Sequence, residues 1–302
     1  MSTDEMEEKL TKEFEMLGPL LFSFDSGTSP AIKQMRQKLL MAGIGSINLE
    51  IDEIGSNLVH NTDVLNSFLE LYDVGKIKAK LIKNTAENLR SEEIDGKTPT
   101  NMMLYGTPSK LMNGGKTEEE YLSMLDTGYA RRCLFGYSTK VLTDINVTPE
   151  DLYDMLTDSS SDTVLDDLAI SMHKLADPIN FNSELALLKP ESLILLEYKQ
   201  LCESRARNMR EFEEIQKAEM SHRYFKALKL AGAYAFIDSS STVTSGHLYS
   251  AFKLVEDSGD AFGRMLNRPR THERVAIYLA DVRKEVTHVD LMEDLPFFRG
   301  GA

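Results

Sequence analysis

Up to about residue 147 the chain alternates short apolar runs with amphipathic stretches, and the most constraining run is "SINLEIDEIGSNL", Ser46 to Leu58. An apolar run this short, stopped by the adjacent acids Asp52 and Glu53 and broken at Gly55, has the length and boundaries of a buried strand rather than a helix. Its neighbours follow the same grammar. "LLFSF" is a short strand, and Pro30 behind Thr28 or Ser29 as cap opens a helix through "AIKQMRQKLLMAG". "NTDVLNSFLELYDVG" sets Val64, Leu65, Phe68, Leu69 and Tyr72 on one helical face and ends at Gly75. "NMMLYGTPSKL" is a second buried strand that stops at Gly106, Thr107 and Pro108, and "TEEEYLSMLDTGYARRCLFGY" reads as a helix followed by a strand. The opening segment to about Leu21 is helical by Met6, Leu10, Phe14 and Leu17, and the alternating "KIKAKLI" has strand period. Strand and helix alternating with continuous apolar strands predict an α/β fold with a parallel sheet covered on both faces.

From roughly Thr148 the texture becomes nearly unbroken helix, with long runs at Leu185 to Ala235 and Ser245 to Met265. The Asp- and Ser-rich "TDSSSDTVLDD" marks a solvated boundary region, with a helix starting near Leu165. Three parts are therefore expected: 1–147 with the sheet, 148–270 mostly helical, and a short third part over 271–302.

Bulk properties narrow the function. The 302 residues suffice for one large or two ordinary cores, and 42% hydrophobic content is that of a folded protein. Two cysteines, Cys133 and Cys202, are too few and too distant for a disulfide framework or zinc site, which favours a reducing compartment. No signal-like start and no membrane-length apolar run occur, so a soluble cytoplasmic protein with no membrane partner is expected. A formal net charge of −14 confines any nucleic-acid contact to local basic patches, because phosphate binding is driven by Lys and Arg.

An Asp followed by a Glu at the carboxyl end of an apolar strand suits nucleotide hydrolysis: the Asp can hold a magnesium shell through water, and the Glu can polarise an attacking water. Open parallel sheets bind ligands at that end of their strands. The competing reading is a polar strand terminus that caps the next helix. Thr107, at the end of the neighbouring strand, can reach a water or a terminal phosphate. Arg131 and Arg132 offer donor forks for a transferring phosphoryl group, against the alternative of a surface salt-bridge pair. The six histidines are scattered without ligand spacing, and Cys133 lies in an apolar run that reads as packing.

Together "GTSPAIKQMRQKLL", "INLEIDEIGSNL", "LNSFLELYDVGKIKAKLIKNT", "PTNMMLYGTPSKL" and "TGYARRCLFGY" resemble the ATPase core of phage and bacterial primase-helicase-type proteins, a P-loop class with a RecA-like or AAA-like core. The resemblance covers about Phe22 to Tyr137 and extends more loosely into the helical remainder. It implies a partial P-loop NTPase sheet in which Asp52 and Glu53 are the Walker B acids, Thr107 a sensor, and Arg131 or Arg132 an arginine finger for a neighbour's site. It also implies ATP and Mg2+ as cofactors once the full site is assembled, non-specific single-stranded DNA as partner, a homo-oligomer or hetero-complex, and a bacterial or phage-infected host cell. Lys76, Lys78 and Lys80 alternate, with Lys83 nearby. In a ring translocase such a row would grip phosphates, whereas the competing reading is an edge strand protected by lysines. "SHRYFKALKLAGAYAFIDSSSTVTSGHLYSAFKLVEDSG" resembles the lid of related ATPases, making Arg223 a nucleotide-reaching sensor candidate beside the alternative of an ordinary surface residue. "RPRTHERVAIYLADVRKEVTHVDLMEDLPFF" resembles the first two helices of a winged-helix or helix-turn-helix unit, with no third helix or wing following.

One element departs from the family. A phosphate-cradling G-x-x-x-x-G-K-[ST] loop should precede the acidic strand, and none does. "DGKTPTN" and "NGGKTEEE" lack the first glycine, the positions being Ser91 and Lys110, and both follow the acidic strand. The expectation is a portion or subunit of a replicative helicase ATPase whose phosphate loop is supplied elsewhere or lost. The alternatives are an inactive ATPase-like assembly protein, or an α/β enzyme that uses Asp52 and Glu53 on an unrelated substrate.

Overall fold

The computed structural model describes residues 11–12, 23–25, 27–43, 46–54, 62–77, 96–112, 114–138, 147–158, 160–180, 183–210, 213–269, 271–282, 285–295 and 298. The protein is α/β, mostly helical, with one small parallel sheet among the described residues. It divides into two compact units, Met1–Gly128 with Pro269–Ala302, and Tyr129–Arg268. The break falls at Gly128, so the Arg131–Arg132 segment belongs with the helical unit.

In the first unit, β1 (Ser23–Phe24), β2 (Ile47–Ile51) and β3 (Thr100–Leu104) pair in parallel in the order β1-β2-β3. The acid-bearing strand is thus the central one. Its register sets Ile47 against Thr100 and Ile51 against Leu104. Two side-chain bonds reinforce that register: Thr100 Oγ1 donates to the Ile47 carbonyl at 2.8 Å, and Asn101 Nδ2 donates to Asn48 Oδ1 at 2.9 Å. The ladder runs on past the strands, with Tyr105 N donating to Ile51 O and Ile54 N to Tyr105 O, each at 2.9 Å.

Helix α1 (Ser29–Met41) starts where Thr28 caps the Ala31 amide and Pro30 occupies the first turn, which satisfies one orphan N–H and removes another. It buries Ile32 and Leu39. Helix α2 (Thr62–Val74) buries Val64, Leu65, Phe68 and Leu71 and packs on α1 and β3. After β3 come a single turn, α3 (Pro108–Leu111), and α4 (Lys116–Met124), which ends in a π-helical turn over Leu125–Tyr129.

Coverage of the sheet corrects the expectation of continuous apolar strands. Ile47, Leu49 and Ile51 are buried, while Asn48 is half-buried and Glu50 exposed, so β2 alternates. The run "INLEI" carries a polar residue at every second position, which is the half-buried strand pattern. The strand expected at the end of "TEEEYLSMLDTGYARRCLFGY" is absent: 130–138 is turn and irregular backbone. Most of "KIKAKLI" and of the opening helix lies outside the described residues; Lys76 and Ile77 are not in a strand.

In the helical unit, α5 (Pro149–Thr157) and α6 (Ser160–Leu175) lead to a three-helix core of α7 (Lys189–Arg207), α8 (Glu214–Ile237) and α9 (Ser245–Leu266). The long run expected over 185–235 is two helices, since α7 ends at Arg207 and α8 starts at Glu214. Ala227, Ala231 and Ala235 form a small-residue face on α8 that lets α7 and α9 approach closely, and Leu195, Tyr198, Leu248 and Val255 fill the space around it. In the first unit, α10 (Thr271–Asp281) and α11 (His288–Asp294) match the two helices expected there, and none of their described side chains is buried.

Leu49 and Phe68 sit at the centre of the sheet unit's core, at 1% and 2% exposure. Leu49→Ala and Phe68→Ala should each cost about 3–5 kcal/mol in a denaturant titration, and exposed Met103→Ala well under 1 kcal/mol.

Candidate functional site

The strand mouth is built by register. Because Ile51 lies opposite Leu104, Asp52 and Glu53 leave β2 where Tyr105 and Gly106 leave β3, with Thr107 one residue further on. Asp52, Glu53 and Thr107 are all exposed, on neighbouring strand ends. Gly106 is required by close approach: a Cβ there would meet Ile54 Cγ2 and Leu111 Cδ1 at 2.6 Å each. That contact seats the turn carrying Thr107 against the core. Thr107 also caps α3 in extended conformation without a side-chain bond to the helix.

Neither lysine-threonine pair behaves as a phosphate loop. Gly96 to Thr98 leads into the amino end of β3, opposite the end where the acids emerge, and Thr98 is fully buried. Gly115 does cap α4, but Glu118 reaches back over that helix start to accept from Gly114 N at 2.7 Å, while Lys116 pairs with Glu120 at 3.6 Å. Of the basic row, Lys76 follows α2 and is half-buried; Lys78, Lys80 and Lys83 lie outside the described residues.

Arg131 and Arg132 lie in the helical unit, both half-buried, on a turn anchored at each end. Upstream, Tyr129 is buried and its carbonyl accepts from Arg132 N at 2.9 Å and Cys133 N at 2.8 Å. Downstream, Lys226 Nζ donates to the Cys133 carbonyl at 3.0 Å, Phe135 N donates to Ser258 Oγ at 2.7 Å, and the Phe135 ring stacks on Phe262 at 4.2 Å. Burial pushes the Cys133 thiol up to about 11, so it stays protonated at neutral pH and is unsuited to nucleophilic attack.

Beneath this turn lies a charge cluster that sequence reasoning reached only through Arg223. Glu219 accepts from Arg223 Nη2 at 2.6 Å and Lys226 Nζ at 2.5 Å. Glu256 accepts from Arg223 Nη1 at 2.9 Å and, at its other oxygen, from the Tyr198 hydroxyl at 2.6 Å. Glu219, Arg223 and Lys226 are 1%, 4% and 3% exposed. Arg223 is therefore not the surface residue of the competing reading, and two carboxylates already occupy its guanidinium. Burial holds Lys226 below its usual range, and Glu219 opposes that shift. Glycine at 259 makes room for the cluster, since a Cβ there would lie 2.0 Å from Arg223 Nη2. The detectable signal was the spacing Glu219, Arg223, Lys226, which places all three on one face of a helix otherwise lined with alanine.

Among the described residues no group of three or more His, Cys, Asp or Glu side chains is placed to hold a metal ion, and no helix is long and apolar enough to cross a membrane. No family model, curated protein or solved structure matches the chain.

Replacing Glu219 by Gln leaves buried Arg223 with Glu256 as its remaining carboxylate and buried Lys226 with the Cys133 carbonyl alone. The expected loss is about 3–5 kcal/mol in urea unfolding, and Gly259→Ala should also destabilise, by about 1–3 kcal/mol, by displacing the guanidinium. The His222 imidazole is held below its ordinary value, first by burial and then by Arg131, Arg132 and Lys226. Its NMR titration should shift upward in Arg131→Ala; an unchanged midpoint would place the arginine away from it.

Proposed function

We propose that the chain is the acid-and-sensor portion of a helicase-type ATPase acting on DNA, with the phosphate loop supplied by another segment or another chain. The observation that carries this reading is the strand order: the central strand of a parallel sheet ends in Asp52 and Glu53, and the adjacent strand ends at Thr107 in continuous register. In a hydrolytic site of this kind the Asp holds magnesium through water, and the Glu orients the attacking water. The pair fits that task, because Mg2+ keeps most of its waters and needs only one or two carboxylates beside the nucleotide phosphates. Bound there, the ion would neutralise charge on the transferring phosphoryl group. Asp52 would hold it, Glu53 would accept a proton from water, and Thr107 would donate its hydroxyl to the terminal phosphate.

Arg131 and Arg132, on their anchored turn, are suited to serving a neighbouring subunit's nucleotide, where a fixed guanidinium stabilises transition-state charge. Arg223, held by two buried carboxylates, serves better as scaffold for that turn than as a nucleotide contact. The basic row around Lys76 would grip single-stranded DNA by its phosphates.

A second reading, an ATPase-like assembly protein without activity, is favoured by one observation: no phosphate loop precedes the acidic strand, and both lysine-threonine pairs follow it. The deciding experiment fuses or adds a strand, G-x-x-x-x-G-K-[ST] loop and helix to the chain. Mg-ATP binding and hydrolysis stimulated by single-stranded DNA are expected, with hydrolysis lowered about 100-fold or more by Glu53→Gln and binding retained. No nucleotide binding in the complemented protein supports the assembly reading instead. Hydrolysis by the unassisted chain that depends on Glu53 would overturn the need for a supplied loop.

A further inference from the structure

Helix α1 carries a charge on the face it turns to the core. Ile32, Arg36 and Leu39 recur at helical spacing and all three are buried, Arg36 at 6% exposure. Arg36 Nη2 donates to the Gly96 carbonyl, but among the described residues no carboxylate pairs with the guanidinium, and its buried Nε has no acceptor. An arginine stays charged at physiological pH, and a buried charge without a counter-charge is strongly destabilising. The buried arginine of the helical unit is treated differently, since two carboxylates hold Arg223.

A second orphan lies on the segment that Arg36 grips. Thr98, two residues after Gly96, is fully buried, and its Oγ1 has no partner among the described residues. The segment is fixed from both sides. A Cβ on Gly96 would run into Leu40 of α1, and Thr98 N donates to the Gly75 carbonyl at 2.8 Å. Gly75 itself lies in the left-handed region, at φ +69°, where a Cβ would meet Lys97 Cβ at 3.0 Å. Lys97, exposed, adds a second positive charge beside the buried groups. Orphaned buried donors call for an ion or a water, and here they stand with two cations and no acid. Two charges favour a dianion over chloride or a single carboxylate, and a guanidinium edge with a hydroxyl suits the oxygens of a tetrahedral oxyanion.

We propose that Arg36, Thr98 and Lys97 bind a phosphate group at the amino end of β3. The site is not a phosphate loop: the Thr98 amide is already bonded to Gly75, so side chains rather than a backbone nest supply the donors. It lies at the end of the sheet opposite Asp52 and Glu53, so it stands apart from the hydrolysis reading.

The test titrates the full chain with inorganic phosphate, sulfate, acetate and chloride at constant ionic strength, and in a separate arm with a single-stranded oligodeoxynucleotide. The Arg36 Nε–H resonance and the thermal midpoint are followed. Phosphate should move the resonance saturably and raise the midpoint, while acetate and chloride should do neither. An oligonucleotide that acts where inorganic phosphate does not supports the same chemistry and identifies a nucleic-acid backbone as its source. Arg36→Met should lower affinity at least about tenfold and leave the ligand-free midpoint unchanged or higher, because it removes an unpaired buried charge. Thr98→Val keeps the shape and removes a hydroxyl that bonds nothing in the free chain. It should weaken binding about threefold or more with the fold intact, which keeps the test decisive if Arg36→Met does not fold. Asp52→Ala with Glu53→Ala should leave the phosphate response as it is, so this site and the hydrolytic one can fail separately. No response in either arm overturns the proposal, as does a response shared by chloride or one that survives in both Arg36→Met and Thr98→Val.

Discussion

The helical unit depends on one buried carboxylate. Glu219 accepts hydrogen bonds from both Arg223 and Lys226, and without it Arg223 would keep only Glu256 and Lys226 only the Cys133 carbonyl in a low-dielectric interior. Desolvating such groups costs several kcal/mol each, which only near-ideal geometry and full hydrogen bonding repay. Here each cation has at least two acceptors. Arg223 bridges two carboxylates, Lys226 spans a carboxylate and the Cys133 carbonyl, and Glu256 also takes the Tyr198 hydroxyl. Such a network specifies one arrangement of α7, α8 and α9, and through Lys226 it fixes the backbone from which Arg131 and Arg132 project.

The sheet unit is organised by a different constraint, parallel register. Parallel strands bring carboxyl ends together, so polar residues ending neighbouring strands meet at one edge of the sheet without further design. Asp52, Glu53 and Thr107 lie at neighbouring strand ends in that way, and Gly106 permits the close turn that precedes Thr107. The two units carry different groups: exposed acids and a hydroxyl at strand ends in one, two half-buried arginines on an anchored turn in the other.

Much of this was legible in the sequence because its signals are local. The Thr28 cap with Pro30, the termination of α2 at Gly75, the helix over Ser245 to Met265 and the two short strands ending at Asp52 and near Thr107 all follow from period and capping. The misreadings share a physical cause. "CLFGY" was assigned to a strand for its apolar content, yet its backbone bonds to Ser258 and its Phe135 to Phe262, partners more than a hundred residues away. Arg223 read as surface or nucleotide contact because single charges are seldom buried, and its partner Glu256 lies 33 positions distant.

The sequence by itself determined where helices and strands begin and end, the acid pair's place at a strand terminus, and the absence of a phosphate loop before it, because each depends on residues within a turn or two of one another. Only the tertiary structure decided that the acidic strand is central, that one sheet face is polar, that Arg223 and Lys226 are buried scaffold, and that α5 and α6 keep an apolar face uncovered. Those outcomes depend on which distant segments meet, and on whether the desolvation of a charge is repaid by distant partners such as Glu256 as well as by Glu219 one turn away.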